Sequence, residues 1–372
     1  MNILWLAWKD QNHPQRGGAE LVLHQLIDRQ LADGHQVTLL TAQYPGAKAE
    51  ETLPNGLHII RTGKNRYLHS AQALVYYLKH LRGKFDLLIE TVNTAPYFSL
   101  LFKGRAKGFA LYHQLARDVW FFETKKPVNW LGYYIIEPLC TWLLSLAKTP
   151  LITVSESTKY DMAKFGWKPE RTHIISEGIT LEPVASLERI KKFDDPTILS
   201  FGAIRGMKRT LDQIKAFEIA KQSIPNAKLI VAGDASGSYG NQVLEAISQS
   251  PYKSDISCIG RVDEGTKKEL MQRAHIITVT SIKEGWGLIV TEAASQGTPA
   301  VVYNVDGLRD SVRHGQTGFI TASTPQALAI HIAATLKNPT IYHRLQQAAW
   351  EWSKQMTFDR SYQDFTYALK EA

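Results

Sequence analysis

The stretch whose reading decides the fold is 279–299, VTSIKEGWGLIVTEAASQGTP. An apolar strand pattern ends near Ser281. Glu284-Gly285-Trp286-Gly287 follows, and a helical pattern then runs to the turn at Gly297. Glycines at a strand-to-helix turn let backbone amides approach a ligand closely. The helix start beyond them presents unpaired N–H groups and the positive end of a dipole. Together these features predict a phosphate site. Glu292 lies eight positions after Glu284, on the helix and set back from that phosphate. A carboxylate there suits the paired hydroxyls of a ribose, because it would repel the phosphate itself. Glu284, in the turn, can reach hydroxyls of whatever is attached beyond the phosphates.

A second junction of the same kind is FGAIRGMKRT, 201–210. Arg205 and Lys208 follow an apolar strand there, where cations would neutralise a departing diphosphate. Near the N-terminus Gly17-Gly18 precedes a helical pattern over 19–33. These glycines supply further flexible amides.

Outward from these junctions the chain alternates short apolar runs with helical patterns. The first series is NILWLAW (2–8), QVTLLTA (36–42), LHIIR, DLLIE, GFALYHQ, LITVSE and THIISEG. The second is TILSFGA (197–203), AKLIVAG (227–233), ISCIGRV (256–262), HIITVTS (275–281) and PAVVYNV (299–305). Strands alternating with helices predict parallel sheets. The polar stretch 181–196 carries no strand pattern and reads as an interdomain linker. The expected fold is therefore α/β, two doubly wound domains of similar size. Ligands of such sheets bind beyond the carboxyl ends of the strands, so the cleft between the domains is the expected site.

The 372 residues are 44% hydrophobic and 21% charged, an ordinary globular composition. The net charge of +8 is spread over both halves and favours anionic partners without choosing among them. Two cysteines, Cys140 and Cys258, make no disulfide framework or Cys-based zinc site. No Asp-X-Asp tripeptide, Walker A loop or His-Glu-x-x-His motif occurs, and no metal ligand set is assigned. The start MNILWLAWKDQ lacks a basic leader, and 131–147 is short and interrupted by Glu137 and Pro138. Neither reads as a signal peptide or a membrane span, and a cytoplasmic location is expected. Residues 118–149 are rich in Trp, Tyr and Phe. Packing of one or two helices on the first sheet is the expected role. An amphipathic surface for lipid or an apolar acceptor is the alternative.

At this point the residues resemble a known family. Glu284-Gly-Trp-Gly-Leu-Ile-Val-Thr-Glu292 is similar to the E-x7-E motif of the retaining glycosyltransferases of family 4, which have the GT-B fold. Gly17-Gly-Ala-Glu20, Ala32-Asp-Gly-His-Gln-Val37, Val154-Ser-Glu-Ser157, Phe201 to Lys208 and His314-Gly-Gln-Thr-Gly-Phe319 resemble its other segments, all in family order. The resemblance covers nearly the whole chain. It implies two Rossmann-like domains facing across a cleft: 1–183 for the acceptor, 184–349 for the nucleotide sugar, and 350–372 crossing back as a C-terminal helix. It implies that Glu292 takes the ribose hydroxyls and Glu284 the sugar hydroxyls. Amides of Gly287 and Leu288, in the turn with Gly285 and Trp286, would hold the diphosphate beside Lys208. Gly17 and Gly18 would cap a phosphate, Arg261-Val262 would contact the base, and His113 would lie near the transferred sugar. Three departures stand out. Ala203 occupies the place of an arginine that Arg205 would replace, Glu177-Gly178 stands for Asn-Gly, and Asp310 sits in a glutamate position.

The implied reaction is retaining, metal-independent sugar transfer from a UDP- or GDP-sugar to a glycan, a lipid-linked acceptor or a small molecule, with no cofactor. A sugar-nucleotide hydrolase or epimerase is the rival within the fold. A basic module binding an anionic surface without catalysis is the rival outside it, and no nucleic-acid motif supports a nucleic-acid partner. Lys103, Arg105, Lys107, Lys125 and Lys126, near the aromatic stretch, make an anionic membrane surface an expected partner.

Overall fold

Residues 1–63, 68–93 and 95–371 are described by the computed structural model. They form two compact units. The first comprises Met1–Trp120, Lys126–Gly178 and Phe358–Ala372, and the second Phe121–Lys125 and Ile179–Thr357.

Unit 1 holds an eight-stranded sheet. Its strands are β1 (Asn2–Leu6), β2 (Gln36–Ala42), β3 (Glu50–Thr52), β4 (His58–Thr62), β5 (Leu87–Val92), β6 (Lys107–Tyr112), β7 (Leu151–Thr153) and β8 (Thr172–Ile174). Their order is β3-β4-β2-β1-β5-β6-β7-β8, parallel throughout except for β3 against β4. Unit 2 holds β9 (Thr197–Phe201), β10 (Lys228–Ala232), β11 (Ile256–Gly260), β12 (Ile276–Val279), β13 (Ala300–Tyr303) and β14 (Gly318–Thr321). They run in the order β11-β10-β9-β12-β13-β14, all parallel. The strands read as continuous apolar runs because helices cover both faces of a parallel sheet. In β5 every residue is buried.

In unit 2, β9 lies between β10 and β12, so successive crossovers leave it in opposite directions. The crevice beyond the carboxyl ends of β9 and β12 is the place where such a sheet accepts a ligand. The two segments singled out from the sequence, 201–210 and 279–299, begin at these two strand ends.

The unit boundaries differ from those expected. The break falls at Gly178/Ile179, not at 183/184, because the 179–196 stretch is fastened to unit 2. Lys192 Nζ donates to Ala274 O at 2.7 Å, Gly297 O at 2.8 Å and Thr298 Oγ1 at 2.9 Å. Burial lowers the Lys192 pKa to about 7. Gln296 Nε2 donates to Glu182 O, and Val184 N to Ser295 O. The return to unit 1 begins at Phe358, not at residue 350, since the helix Pro339–Ser353 stays with unit 2. The helix Phe358–Glu371 stacks Phe365 on Trp5 at 5.7 Å, and its Asp364 accepts from Ser176 N and Oγ.

A further difference concerns 118–149. The helical stretch from Val128 to Ser145 is not core. Trp130, Tyr134, Ile135, Leu139 and Trp142 are exposed, and its buried side carries Asn129, Gly132, Glu137 and Thr141, with Leu144 alone of its apolar residues fully in the core.

Two buried histidines tie stability to pH. Burial lowers the pKa of His24 and of His275 to about 4 from 6.5. The unfolded chain binds these protons between pH 6.5 and 4 and the folded chain does not, so stability is lost as pH falls through that window. Urea midpoints are expected to drop from pH 7 to pH 4.5, and less steeply in His24→Leu. An equal drop in that variant would exclude His24 as a contributor.

Candidate functional site

The two junctions of unit 2 are joined by a backbone hydrogen bond and a side-chain hydrogen bond. Ile282 N donates to Met207 O at 2.8 Å, and Thr280 Oγ1 donates to Lys208 O at 2.8 Å. Gln213 Nε2 in turn donates to Thr280 Oγ1 at 2.9 Å. This stitching brings Lys208 and Glu284 together, although 76 positions separate them. Glu284 Oε1 accepts from Lys208 Nζ and, at 2.6 Å, from Ser281 Oγ.

The turn that carries Glu284 depends on two glycines. Gly307, at φ +78°, passes so close that a Cβ would collide with the Glu284 carbonyl oxygen. Glu284 N donates to Asp306 O at 3.0 Å across the same contact. Asp306 itself pairs with Lys283 and with Arg309. The Asp310 carboxylate caps Gly307 N at 3.0 Å, the structural task available to an acid at that position. Gly287 sits at φ +93°, and a Cβ there would lie 2.8 Å from Leu308 Cδ2. It precedes the helix Leu288–Ser295, whose start receives no side-chain cap. The first amides of such a helix are suited to an anion. Trp286 packs beside Trp352, Ile179 and Met356, with its ring 6.1 Å from that of Trp352. Its Nε1 is buried and has no partner.

Glu292 lies within the same helix and is buried. Lys267 Nζ is 2.9 Å from its Oε1, and Thr180 Oγ1 reaches the same oxygen at 3.4 Å. Burial raises the Glu292 pKa above the ordinary carboxylate value, and the Lys267 charge opposes the rise. Lys267 rides on the helix Glu264–Arg273, started by Asp263, whose carboxylate accepts from Thr266 N at 2.7 Å. Arg261 and Val262 are the two residues before that cap. The sequence reading missed Lys267, Thr180 and Ser281. Their partners are distant in the chain or too common a type to signal.

Arg205 is the loosest candidate. It is half exposed and its ion pair, at 3.8 Å, is with Glu123. Lys208, not Arg205, meets Glu284. A cavity of about 510 Å³ elsewhere in unit 2 lies between 182–191 and the end of the helix Glu264–Arg273, and none of these site residues lines it. Among the described residues no three His, Cys, Asp or Glu side chains are grouped to hold a metal ion.

Unit 1 carries the remaining candidates. Gly17 is the N-cap of the helix Gly18–Ala32, with φ −138°. That is extended backbone open to any residue, so conformation does not demand glycine there. Its amide donates to Glu20 Oε2 at 2.6 Å and is already taken. His113 follows β6. Its Nδ1 donates to Glu177 Oε1 at 2.9 Å, while Nε2 is buried without a partner. Glu177, read from the sequence only as a departure, therefore orients the ring.

Comparisons agree with the fold. Residues 16–183 match the family model described as Glycosyltransferase Family 4, and residues 187–352 match Glycosyl transferases group 1. An uncharacterized glycosyltransferase of Methanocaldococcus jannaschii is 22% identical over 369 residues, covering 88% of this chain and 87% of its own. Sucrose-phosphate synthase from Thermosynechococcus elongatus superposes with a TM-score of 0.79 at 18% identity, over 100% of this chain and 98% of that one. HepE of Anabaena, solved with UDP-glucose, superposes with a TM-score of 0.75 at 17% identity over the whole of both chains.

Lys267→Met should expose the role of the buried pair. Without its cation the folded-state rise of the Glu292 pKa grows. The folded chain then binds the extra proton, and stability falls as pH rises. The loss relative to wild type is expected to be small at pH 5 and about 3 kcal/mol at pH 8, with Lys267→Arg close to wild type. Urea unfolding at both pH values checks it, and a loss independent of pH would contradict the pairing.

Proposed function

Because the chain belongs to the glycosyltransferases that these two domain models describe, with the GT-B fold, we propose that it transfers a sugar from a UDP- or GDP-sugar with retention of anomeric configuration and without a metal. The observation that carries this reading is the meeting of Lys208, Glu284 and the uncapped helix start after Gly287 at the ends of β9 and β12.

On this reading the diphosphate lies on the amides of Gly287 and Leu288, with Lys208 beside it. The bond between the anomeric carbon and the β-phosphate oxygen breaks, and negative charge grows on that oxygen. The ammonium of Lys208 and the helix N-terminus stabilise it in place of a metal ion. Glu284 exchanges its hold on Lys208 for hydroxyls of the transferred sugar. Glu292, beside Lys267, accepts from the ribose hydroxyls, and the Arg261-Val262 backbone meets the base. The acceptor hydroxyl bonds to the anomeric carbon from the face that the phosphate leaves, and its proton goes to the departing phosphate. Arg205 is a secondary contributor to phosphate charge. Unit 1 takes the acceptor, a glycan, lipid-linked saccharide or small molecule. His113, held by Glu177, serves the sugar there, and the Gly17-Gly18 turn serves a phosphate. HepE, which binds UDP-glucose, supports a nucleotide-sugar donor at the level of fold.

A thermal-shift panel with UDP, GDP and ADP in EDTA tests the reading. Ligand at 100 times its Kd is expected to stabilise wild type by about 2.7 kcal/mol, and Glu292→Ala and Lys208→Ala should lose most of that. A cooperative melt that no nucleotide shifts would overturn the donor site. Donor consumption unaffected by every acceptor would favour the hydrolase instead.

A further inference from the structure

A surface helix of a water-soluble domain ordinarily buries its apolar stripe and shows water its polar side. The stretch formed by Val128–Leu131, the π-turn Gly132–Ile136 and Glu137–Ser145 does the reverse. Its outer side carries Trp130, 53% exposed, Tyr134, 56%, and Ile135, 53%, with Leu131, Leu139 and Trp142 in the same stripe. Its inner side holds mostly polar and small residues, with Leu144 packed into the core of unit 1 as the apolar member. Asn129 is buried, and Gly132 lies against the Trp120 ring. Thr141 presents its carbonyl to Trp167 Nε1 at 3.3 Å.

The charges follow the same inversion. Between Lys126 and Lys148 the only acid is Glu137, and it is 2% exposed. Its two oxygens accept from Ala116 N at 2.5 Å, Arg117 N at 2.8 Å and Trp120 Nε1 at 3.3 Å. Burial raises its pKa, and the Arg117 and Ala116 amides counter the rise. The outward face therefore has no carboxylate at all. Exposed Lys126 and Lys148 bracket it, and the stem of Lys103 lies over Gly108 beside Thr149.

From this inside-out helix we infer that unit 1 seats itself on a lipid bilayer, with the 128–145 stretch lying flat in the headgroup region of an anionic leaflet. At 1.5 Å per residue the stretch is about 27 Å long, enough to lie along the interface as a monotopic element. Among the described residues no helix is long and apolar enough to cross a membrane. Indoles and phenols favour the boundary between headgroup and acyl chain, where an apolar ring and a polar N–H or O–H are both satisfied. The flanking lysines can extend their charges to anionic headgroups while their stems stay in the apolar layer. A leaflet of negative lipid meets no opposing carboxylate on this face. The inference stands on the helix and its charges and is independent of the donor site in unit 2.

The test is flotation of the full chain with vesicles of phosphatidylcholine alone and with 30% phosphatidylglycerol added. Wild type is expected to float with the anionic vesicles at least ten times more than with the neutral ones, and to lose that binding in 1 M salt. Trp130→Ser/Ile135→Ser/Trp142→Ser should reduce flotation at least tenfold while its far-UV circular dichroism and melting temperature stay near wild type. If that variant unfolds, quenching of wild-type tryptophan fluorescence by brominated acyl chains reads the same insertion. Absent flotation and quenching would overturn the inference. So would a wild-type dimer that the triple substitution separates, which would assign the face to a second copy of the chain. A normal UDP-induced melting shift alongside failed flotation would leave the donor site standing and reject the membrane face alone.

Discussion

One oxygen of Glu284 accepts from both Lys208 and Ser281, and the rest of the unit 2 site is organised to keep that carboxylate in place. Its backbone amide is held by Asp306, its carbonyl is overlaid by a residue that has to be glycine, and its cationic partner arrives from a different strand end. A carboxylate and an ammonium held this way form a preorganised polar pair at a sheet edge. A ligand that displaced either partner would have to supply a matching group, a hydroxyl for the acid or an anionic oxygen for the base. Electrostatic stabilisation of this kind costs little reorganisation during reaction, because the fold has already oriented the dipoles.

Much of this was legible in the sequence because it is local. The strand-turn-helix pattern around Glu284 lies within about twenty residues, and the strands of both sheets were visible as apolar runs. The strands that escaped are β3 and β14. Glu50–Thr52 is three residues of charged and polar edge, and Gly318–Thr321 follows so closely on a turn that the turn masked it. Lys267 and Glu177 escaped for a different reason. Each is an ordinary charged residue locally, and its meaning arises from a partner 25 or 64 positions away. Arg205 shows the converse. Its place in the chain suggested a phosphate ligand, yet its observed ion pair is with Glu123, a residue no local pattern connects to it.

The aromatic stretch 118–149 was misread because helical periodicity reports that a helix has two faces, not which face turns inward. Glu137 settles the orientation. Its carboxylate is buried on two backbone amides and an indole N–H of unit 1, so the side of the helix that carries it faces inward while Trp130 and Ile135 face outward. Sequence hydropathy, which averages both faces, contains no trace of that choice.

The helix Phe358–Glu371 belongs to unit 1, while residues 179–357 belong to unit 2. In the order in which a ribosome delivers the chain, unit 1 is therefore begun first and finished last. Trp5 waits for Phe365, and Ser176 waits for Asp364, through the synthesis of the whole of unit 2. At 5–20 residues per second the wait of Ser176 is roughly 10–40 seconds and that of Trp5 roughly 20–70 seconds. For that time the face of β1 that Trp5 shares with the last helix is uncovered. Unit 2 has no such debt, since all of its sheet emerges in one continuous run. The nascent protein thus carries a nearly complete unit 2 before unit 1 can close.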